Sequence, residues 1–269
     1  MICQINKFNF KVASIVLATF FTSISWSQEA EKLFKEQYSK LTFVLQPSYL
    51  VAGDARNLDG SVYPSMKMTK DFSHQFGFYY NAFQFKNFNI KTGLIAKEYI
   101  PKYDLNVTDQ DINLGIEGLL TDIETFNQFI LSVPVNFDFF IPITTKWNAV
   151  VGGGCSFNFF TGYFDEELYK VIISNETESK DIYSAKINVN QKLTFSTQIS
   201  AGFNYKAKFA LIQLEAVWNK NSFSIPQDGK YTIYNLAFSP DKKGTIALRD
   251  NFYGLSLQVT PKKGWLKRK

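Results

Sequence analysis

Hydrophobic and polar residues alternate with a period of two along most of this chain, and the segment from 127 to 140 is the clearest example. Successive side chains of a β-strand point to opposite faces of its sheet, so this alternation predicts a strand with one apolar and one polar face. The apolar face consists of Phe129, Leu131, Val133, Val135, Phe137 and Phe139, and the polar face includes Gln128, Ser132, Asn136 and Asp138.

Seven further segments repeat this pattern. They lie at 41–51, 75–82, 88–97, 147–159, 193–205, 210–219 and 251–260. Pro47 is the one irregular residue of the first segment, because proline removes a ladder donor. We therefore expect about eight strands, the smallest size common in outer-membrane barrels. A count of ten would apply if 111–120 or 181–189 paired in a β-hairpin above the membrane.

The connections between these segments alternate between short and long. Short connections lie at 86–87, 141–146 and 206–208, and long ones at 53–70, 100–124, 165–190 and 220–248. Outer-membrane barrels have short periplasmic turns and longer extracellular loops, and an even strand count returns both termini to the periplasm. A soluble β-sandwich would also alternate, but its outward face would be polar. The pattern thus predicts an all-β, antiparallel transmembrane β-barrel.

The N-terminus has the organisation of a secretory signal. Lys7 and Lys11 precede an apolar stretch from Val12 to Ile24, and small residues surround the expected cleavage after Ser27. The apolar stretch is shorter than the roughly 20 residues of a membrane-spanning helix. We expect a signal peptide at 1–27, a periplasmic segment at 28–40, the barrel at 41–260 and a basic periplasmic tail at 261–269.

Composition agrees with a barrel. Aromatic residues make up 17% of the chain, with 27 Phe and 14 Tyr, and lipid-facing strands use such residues in the apolar band and its flanking girdles. The formal charge of +5 is modest, and much of the excess lies in the tail. We therefore expect no nucleic-acid partner. After loss of the signal only Cys155 remains, so the mature chain has no intramolecular disulfide.

Short motifs resemble those of PorT-like outer-membrane barrels of Bacteroidetes. The similarity includes Phe78-Tyr79-Tyr80, Ile90-Lys91-Thr92-Gly93-Leu94, Leu131-Ser132-Val133-Pro134-Val135-Asn136-Phe137 and Val150-Val151-Gly152-Gly153-Gly154. It spans roughly 41 to 260. The resemblance implies a small to medium barrel that, in some members, is associated with protein-secretion machinery. The chain departs from the wider outer-membrane pattern, which ends on an aromatic residue, because a basic tail follows the last strand.

Three inward charges are candidates for a lumenal network. Lys91 and Asp138 lie at similar distances from the short turns on neighbouring strands, so we expect an ion pair between them, and Glu215 points to the same interior. An eight-stranded barrel is just wide enough for side chains to fill it. Such charges therefore usually plug the lumen, and a role in passage or gating is the alternative.

Few residues outside the lumen are candidates for catalysis or metal binding. His74 is the only histidine, and Ser73 beside it must point to the opposite face of the strand. We expect His74 to lie at the membrane rim as a headgroup-level residue, with lipid modification as a distant alternative. We predict no catalytic residue, no cofactor and no metal site. The third long connection is acidic, and Val171-Ile172-Ile173 within it could form an edge strand that a partner extends.

These observations predict a non-enzymatic outer-membrane barrel. We expect it to contact outer-membrane lipid and to act as an interaction or accessory protein in protein secretion or envelope organisation. Secretion-machinery subunits or other envelope proteins are the expected partners. The main alternative is a narrow, porin-like channel for small solutes.

Overall fold

The computed structural model describes most of the chain beyond the predicted signal peptide. The described residues are 38–85, 87–99, 102–106, 124–125, 128–160, 165–174, 178–188, 193–221, 227–234, 236–237 and 239–264. The predicted signal, the segment 111–120 and the last five residues of the basic tail lie outside them. None of the described residues belongs to a helix long and apolar enough to cross a membrane.

Eight long antiparallel strands form a closed barrel, as the alternation predicts. The strands are β1 (Leu41–Asn57), β3 (Asp71–Phe85), β4 (Phe88–Tyr99), β7 (Gln128–Pro142), β8 (Trp147–Phe160), β11 (Leu193–Lys206), β12 (Ala210–Asn221) and β14 (Lys242–Pro261). They pair in that order, and β1 pairs with β14 to close the cylinder. The predicted eight-stranded fold is thus confirmed.

Three tight turns join strands at one end of the barrel, and the structure confirms their short lengths. The β7–β8 turn is held by Thr144, whose hydroxyl accepts hydrogen bonds from the backbone N–H groups of Lys146 and Trp147 at 3.2 and 3.0 Å. The β11–β12 turn is closed by a 2.9 Å bond from the Ala207 N–H to the Ala210 carbonyl. By the asymmetry of outer-membrane barrels this is the periplasmic end.

Six further strands lie in the long connections at the opposite end. They are β2 (Ser65–Thr69), β5 (Lys102–Asn106), β6 (Glu124–Thr125), β9 (Asp165–Ser174), β10 (Glu178–Asn188) and β13 (Gln227–Ile233). Strands β2, β5 and β6 form a small separate sheet. Strands β13, β10 and β9 extend the barrel sheet in the order β14-β13-β10-β9. The β9–β10 hairpin therefore forms outside the barrel, and the barrel itself keeps eight strands.

Several barrel strands are longer than the alternation predicts, and β1 and β14 extend furthest at their extracellular ends. We expected the first to end near Val51 and the last to begin near Asn251, but β1 continues to Asn57 and β14 begins at Lys242. A tilted strand crosses a membrane in about 9–11 residues, whereas β14 has 20. The first seven residues of β14 pair with β13, on the same side on which residues nearer the periplasmic end of β14 pair with β12. These extensions thus form a sheet above the extracellular rim.

The two faces of the wall differ as predicted. Outward side chains are large and apolar, as in Phe76, Phe78, Phe137, Phe157 and Leu255, and each is about half exposed at the barrel surface. Inward side chains are mostly polar and buried. A solvent-exposed apolar band of this extent is the lipid-facing surface of a membrane barrel. The structure is therefore a transmembrane β-barrel of the outer-membrane type.

Two glycines of β8 leave room for polar side chains inside the barrel. A Cβ at Gly154 would lie 2.1 Å from the Asn136 Oδ1 atom and 2.4 Å from the Val135 carbonyl oxygen. A Cβ at Gly152 would lie 2.5 Å from the Ser200 Oγ atom and 3.0 Å from an Asp138 carboxylate oxygen. Glycine in this strand thus allows inward side chains of β7 and β11 to approach its backbone.

We predict that Gly154→Ala destabilises the folded barrel by about 1–3 kcal/mol, the usual cost of overpacking. The added Cβ meets a backbone carbonyl, which cannot move aside without shifting the strand. Urea unfolding of the barrel in lipid vesicles measures the effect. Ala201→Val, on the exposed outward face of β11, is the matched control and should stay within about 0.5 kcal/mol of the parent. Equal stability of Gly154→Ala and the parent would contradict the prediction.

Candidate functional site

The lumen contains a charged layer near the periplasmic end. Lys91 projects inward from β4, Asp138 from the neighbouring strand β7, and Glu215 from β12 on another part of the wall. Lys91 lies opposite Asn136 in the ladder and Asp138 lies opposite Asn89, so the two charged residues are diagonal neighbours on one face. The structure therefore brings together the three inward charges that the sequence singles out.

The Lys91 ammonium group is the centre of this layer. Its Nζ atom lies 2.7 Å from Asp138 Oδ2, 2.9 Å from Gln258 Oε1 and 3.9 Å from Glu215 Oε2. It also lies 4.9 Å from the centre of the Tyr79 ring. Lys91 is 3% exposed, and both carboxylates are 2% exposed. Contacts from one side chain thus reach strands β3, β7, β12 and β14, and they cross the lumen.

Neutral polar groups complete the layer. Gln258 donates a hydrogen bond to Glu215, and the Ser200 hydroxyl donates another to the same carboxylate at 3.0 Å. Asn136 donates to the Tyr79 hydroxyl at 3.2 Å. A buried charge is strongly unfavourable unless it is paired and hydrogen-bonded. These partners therefore stabilise two carboxylates around one ammonium group inside the barrel.

A second charged layer lies closer to the extracellular end. Lys97 on β4 forms a 2.9 Å ion pair with Asp250 on β14 and donates to Asn158 at 3.1 Å. Its ammonium group lies 5.1 Å from the centre of the Phe252 ring. Asn158 also accepts a bond from Ser132 at 2.6 Å and donates to Ser196 at 3.0 Å. The contacts of this layer likewise cross the lumen.

Sequence reasoning missed the acidic member of that second pair. Lys97 was recognisable as inward, but Asp250 falls before the predicted start of the last strand. In that part of β14 the outward residues are polar, as Thr245, Arg249 and Asn251 illustrate, because the strand has left the membrane. Burial of the even-numbered residues there, including Ile246 and Asp250, follows the same alternation as in the membrane segment. This continued alternation is the signal that could have placed Asp250 on the inward face of the last strand.

His74 lies on the outward face of β3. Its ring is 58% exposed, makes an edge contact with Phe72 at 4.8 Å, and has its Nδ1 atom 3.4 Å from a Glu98 carboxylate oxygen. Ser73 points inward and donates to the Glu98 carbonyl. The two side chains are on opposite faces, so Ser73 and His74 do not form a nucleophile–base pair. Among the described residues, no cluster of three or more His, Cys, Asp or Glu side chains could hold a metal ion.

The extracellular extension has its own polar contacts. The Tyr231 hydroxyl of β13 donates a 2.6 Å bond to Asn57 at the end of β1. Lys242 pairs with Asp59 at 2.5 Å, and Ser61 donates to the same carboxylate. These hydrogen bonds from Lys242 and Ser61 hold the pKa of Asp59 well below its ordinary value. The first long connection is thus tied to the upper part of β14.

Neither a protein-family model nor a curated protein matches this chain. Solved structures similar to it are outer-membrane and surface proteins. OprG of Pseudomonas aeruginosa is 15% identical, with 84% of this chain and 97% of that chain covered and a TM-score of 0.42. AlkL, solved in DMPC lipid bilayers, is 13% identical, with 84% and 92% covered and a TM-score of 0.38. Neisserial surface protein A is 10% identical, with 84% and 99% covered and a TM-score of 0.33. These similarities assign no role to any residue of this chain.

We predict that Lys91→Met destabilises the barrel by about 3–5 kcal/mol, because it leaves two buried carboxylates without their cation. Urea unfolding in lipid vesicles, followed by tryptophan fluorescence, measures the loss. Lys146→Met, which removes an exposed lysine from the β7–β8 turn, is the control and should change stability by no more than about 0.5 kcal/mol. Similar stabilities for the two variants would contradict a structural role of the Lys91 layer.

Proposed function

We propose that this protein is a non-enzymatic outer-membrane barrel that works by binding other proteins at the cell surface. The observation that carries the proposal is the sheet that continues beyond the rim through β14, β13, β10 and β9. A barrel needs none of these additional strands for closure. Their position on one side of the rim supports a binding surface raised above the membrane.

The last strand of this extension is the proposed contact. Within the described ranges, β9 pairs with β10 alone, so its second edge is available for a partner strand. An extended segment can add to such an edge through backbone hydrogen bonds, and its side chains supply specificity. β9 begins with Asp165, Glu166 and Glu167 and continues into Val171-Ile172-Ile173. This sequence favours a partner segment with a basic end and an apolar end.

The contacts that cross the lumen support an interaction role over transport. Lys91 and Lys97 each make contacts that cross the barrel, at two levels. Eight strands enclose an interior that side chains can fill completely. We therefore propose that the charged layers stabilise a closed barrel and that the extracellular sheet carries the function.

The resemblance to PorT-like barrels suggests the class of partner. We propose an accessory role in protein secretion or envelope organisation, with subunits of that machinery as the bound proteins. A partner that presents an extended, partly basic segment at the cell surface is compatible with the acidic start of β9.

Crosslinking of intact cells, followed by purification of the tagged barrel, tests this role. We expect reproducible recovery of secretion-machinery or other envelope proteins with the parent, and their loss when 165–188 is replaced by a short Gly-Ser turn. The variant must first be shown to fold, which its heat-dependent mobility on gels reports. A variant carrying Val171→Lys and Ile173→Lys should lose the partner as well, because charged side chains block edge pairing. Recovery of the barrel alone from parent cells would contradict the accessory role.

A narrow channel would conduct ions in planar bilayers, whereas the proposed interaction protein would not. We expect the purified parent to give no discrete conductance steps at high salt, because both charged layers cross the lumen. Bilayers exposed to the same detergent without protein provide the baseline. Reproducible unitary steps from the folded parent would favour a pore for small solutes.

A further inference from the structure

The Lys91 layer contains more negative than positive charge. Asp138 and Glu215 provide two carboxylates, Lys91 provides one ammonium group, and all three side chains are buried. The second layer is balanced, because Lys97 pairs with Asp250. These five are the buried charged side chains among the described residues, so the carboxylates outnumber the ammonium groups by one. A buried charge without a compensating partner is strongly unfavourable.

The two carboxylates of this layer differ in how their oxygen atoms are used. Both oxygen atoms of Glu215 accept hydrogen bonds from neutral side chains. The Asp138 Oδ2 atom accepts from the Lys91 ammonium group on β4 at 2.7 Å. The Asp138 Oδ1 atom faces β8 instead, because a Cβ at Gly152 would lie 3.0 Å from it. Asp138 thus presents one carboxylate oxygen to β8 while the other binds Lys91.

Asn136 presents a second oxygen atom to the same strand. This residue is 2% exposed, and its Nδ2 atom donates to the Tyr79 hydroxyl at 3.2 Å. Its Oδ1 atom is buried without a hydrogen-bond partner. A Cβ at Gly154 would lie 2.1 Å from that atom. Buried acceptors normally have an electropositive partner, so the Asn136 oxygen indicates a ligand beside β8.

Glycines of β8 leave open the space that these oxygen atoms face. We name it the lumenal cradle: the space above Gly152 and Gly154, bordered by Asn136 and Asp138 of β7 and by Ser200 of β11. In the ladders, Asp138 and Ser200 lie opposite Gly152, and Asn136 lies opposite Gly154. A Cβ at Gly152 would lie 2.5 Å from the Ser200 Oγ atom. One carboxylate oxygen, one amide oxygen and one hydroxyl oxygen therefore border a single space.

We propose that the lumenal cradle binds one monovalent metal cation of the Na⁺ or K⁺ class. Asp138 supplies the negative charge, and the Asn136 amide and the Ser200 hydroxyl supply neutral oxygen ligands. Ser200 keeps its proton on Glu215 and binds the cation through a lone pair. Hard cations prefer oxygen ligands of these kinds. One positive charge balances the layer, whereas a divalent ion would leave an excess of positive charge beside Lys91.

The bound cation stabilises the folded barrel in this proposal. It joins β7 to β11 across the glycines of β8, and it satisfies the buried oxygen of Asn136. The lumenal cradle is separate from the extracellular strand β9. Failure of the cation proposal therefore leaves the protein-binding function untouched, and failure of that function leaves the cation proposal untouched.

Urea unfolding of the barrel in vesicles of neutral phosphatidylcholine tests the proposal. A ligand that binds only the folded state raises the folding equilibrium constant in proportion to its concentration once the site is saturated. We expect Na⁺ or K⁺ to stabilise the parent relative to N-methyl-D-glucammonium at the same ionic strength and pH. A tenfold rise in the metal cation should raise the folding equilibrium constant by up to about tenfold. Equal stability in all three chlorides would overturn the proposal, because a proton would then balance the layer.

A matched pair of asparagine variants locates the site. Asn136→Ala removes the unpartnered oxygen atom together with one hydrogen bond. Asn219→Ala also removes a buried hydrogen bond, from the Asn219 side chain to the Asp250 carbonyl at 2.7 Å. We expect Asn136→Ala to bind the cation at least about tenfold more weakly, as when a metal site loses a supporting contact. Asn219→Ala should keep the parent's cation dependence, and an equal change in both variants would contradict the assignment.

Thallium(I) locates the ion directly, because its anomalous scattering identifies a monovalent cation in a crystal. We expect crystals of the parent soaked in thallium acetate to show a peak in the lumenal cradle, and excess K⁺ should displace it. Asp138→Asn should lack the peak and the cation-dependent stability. That variant keeps Lys91 beside Glu215, so its layer has one carboxylate for one ammonium group. Thallium peaks confined to the protein surface would overturn the proposal, as would an unchanged peak in Asp138→Asn.

Discussion

The pairing of β1 with β14 is the interaction on which the rest of this structure depends. Inside a bilayer no water is present to satisfy backbone N–H and C=O groups, so a sheet can cross only when it has no edge. The β1–β14 ladder runs from Phe43 opposite Val259 up to Asn57 opposite Gly244. It passes Gln46 and Pro47 without a change of register, and a bulge between Val51 and Gly53 follows higher up. Closure thus tolerates the proline that lacks a donor.

Closure with eight strands also determines the interior. Every second side chain must point into a space too narrow for bulk water to separate charges, so inward charges need partners inside the protein. Lys91 and Lys97 meet this requirement with Asp138 and Asp250, respectively. The Lys97–Asp250 pair and the contacts of Lys91 with Gln258 and Glu215 join strands that are not neighbours, so they also brace the wall across the lumen. The polar interior and the contacts that cross the lumen therefore have the same physical origin.

The sequence predicts the membrane part of this fold well because outward side chains there must be apolar to meet lipid, while inward side chains are mostly polar. Alternation identified the strands, the short turns and the inward positions of Lys91, Asp138 and Glu215. The strand extensions above the rim were not predicted, because outward residues there, such as Thr245 and Arg249, are polar and do not mark a lipid-facing strand. The early residues of β14, including Asp250, were therefore assigned to a loop. Cross-lumen partners such as Gln258 and Tyr79 could not be predicted, because they depend on which strands face each other.

The two ends of the barrel differ in how their strands end. At the extracellular end, β1 and β14 continue past the membrane and the sheet opens to include β13, β10 and β9, so an edge appears only where water can satisfy it. At the periplasmic end only four residues separate β7 from β8 and three separate β11 from β12, so no further strands are added there. The proposed protein-binding sheet can therefore stand above the rim without disturbing the segment in the membrane, because that segment is closed and has no edge.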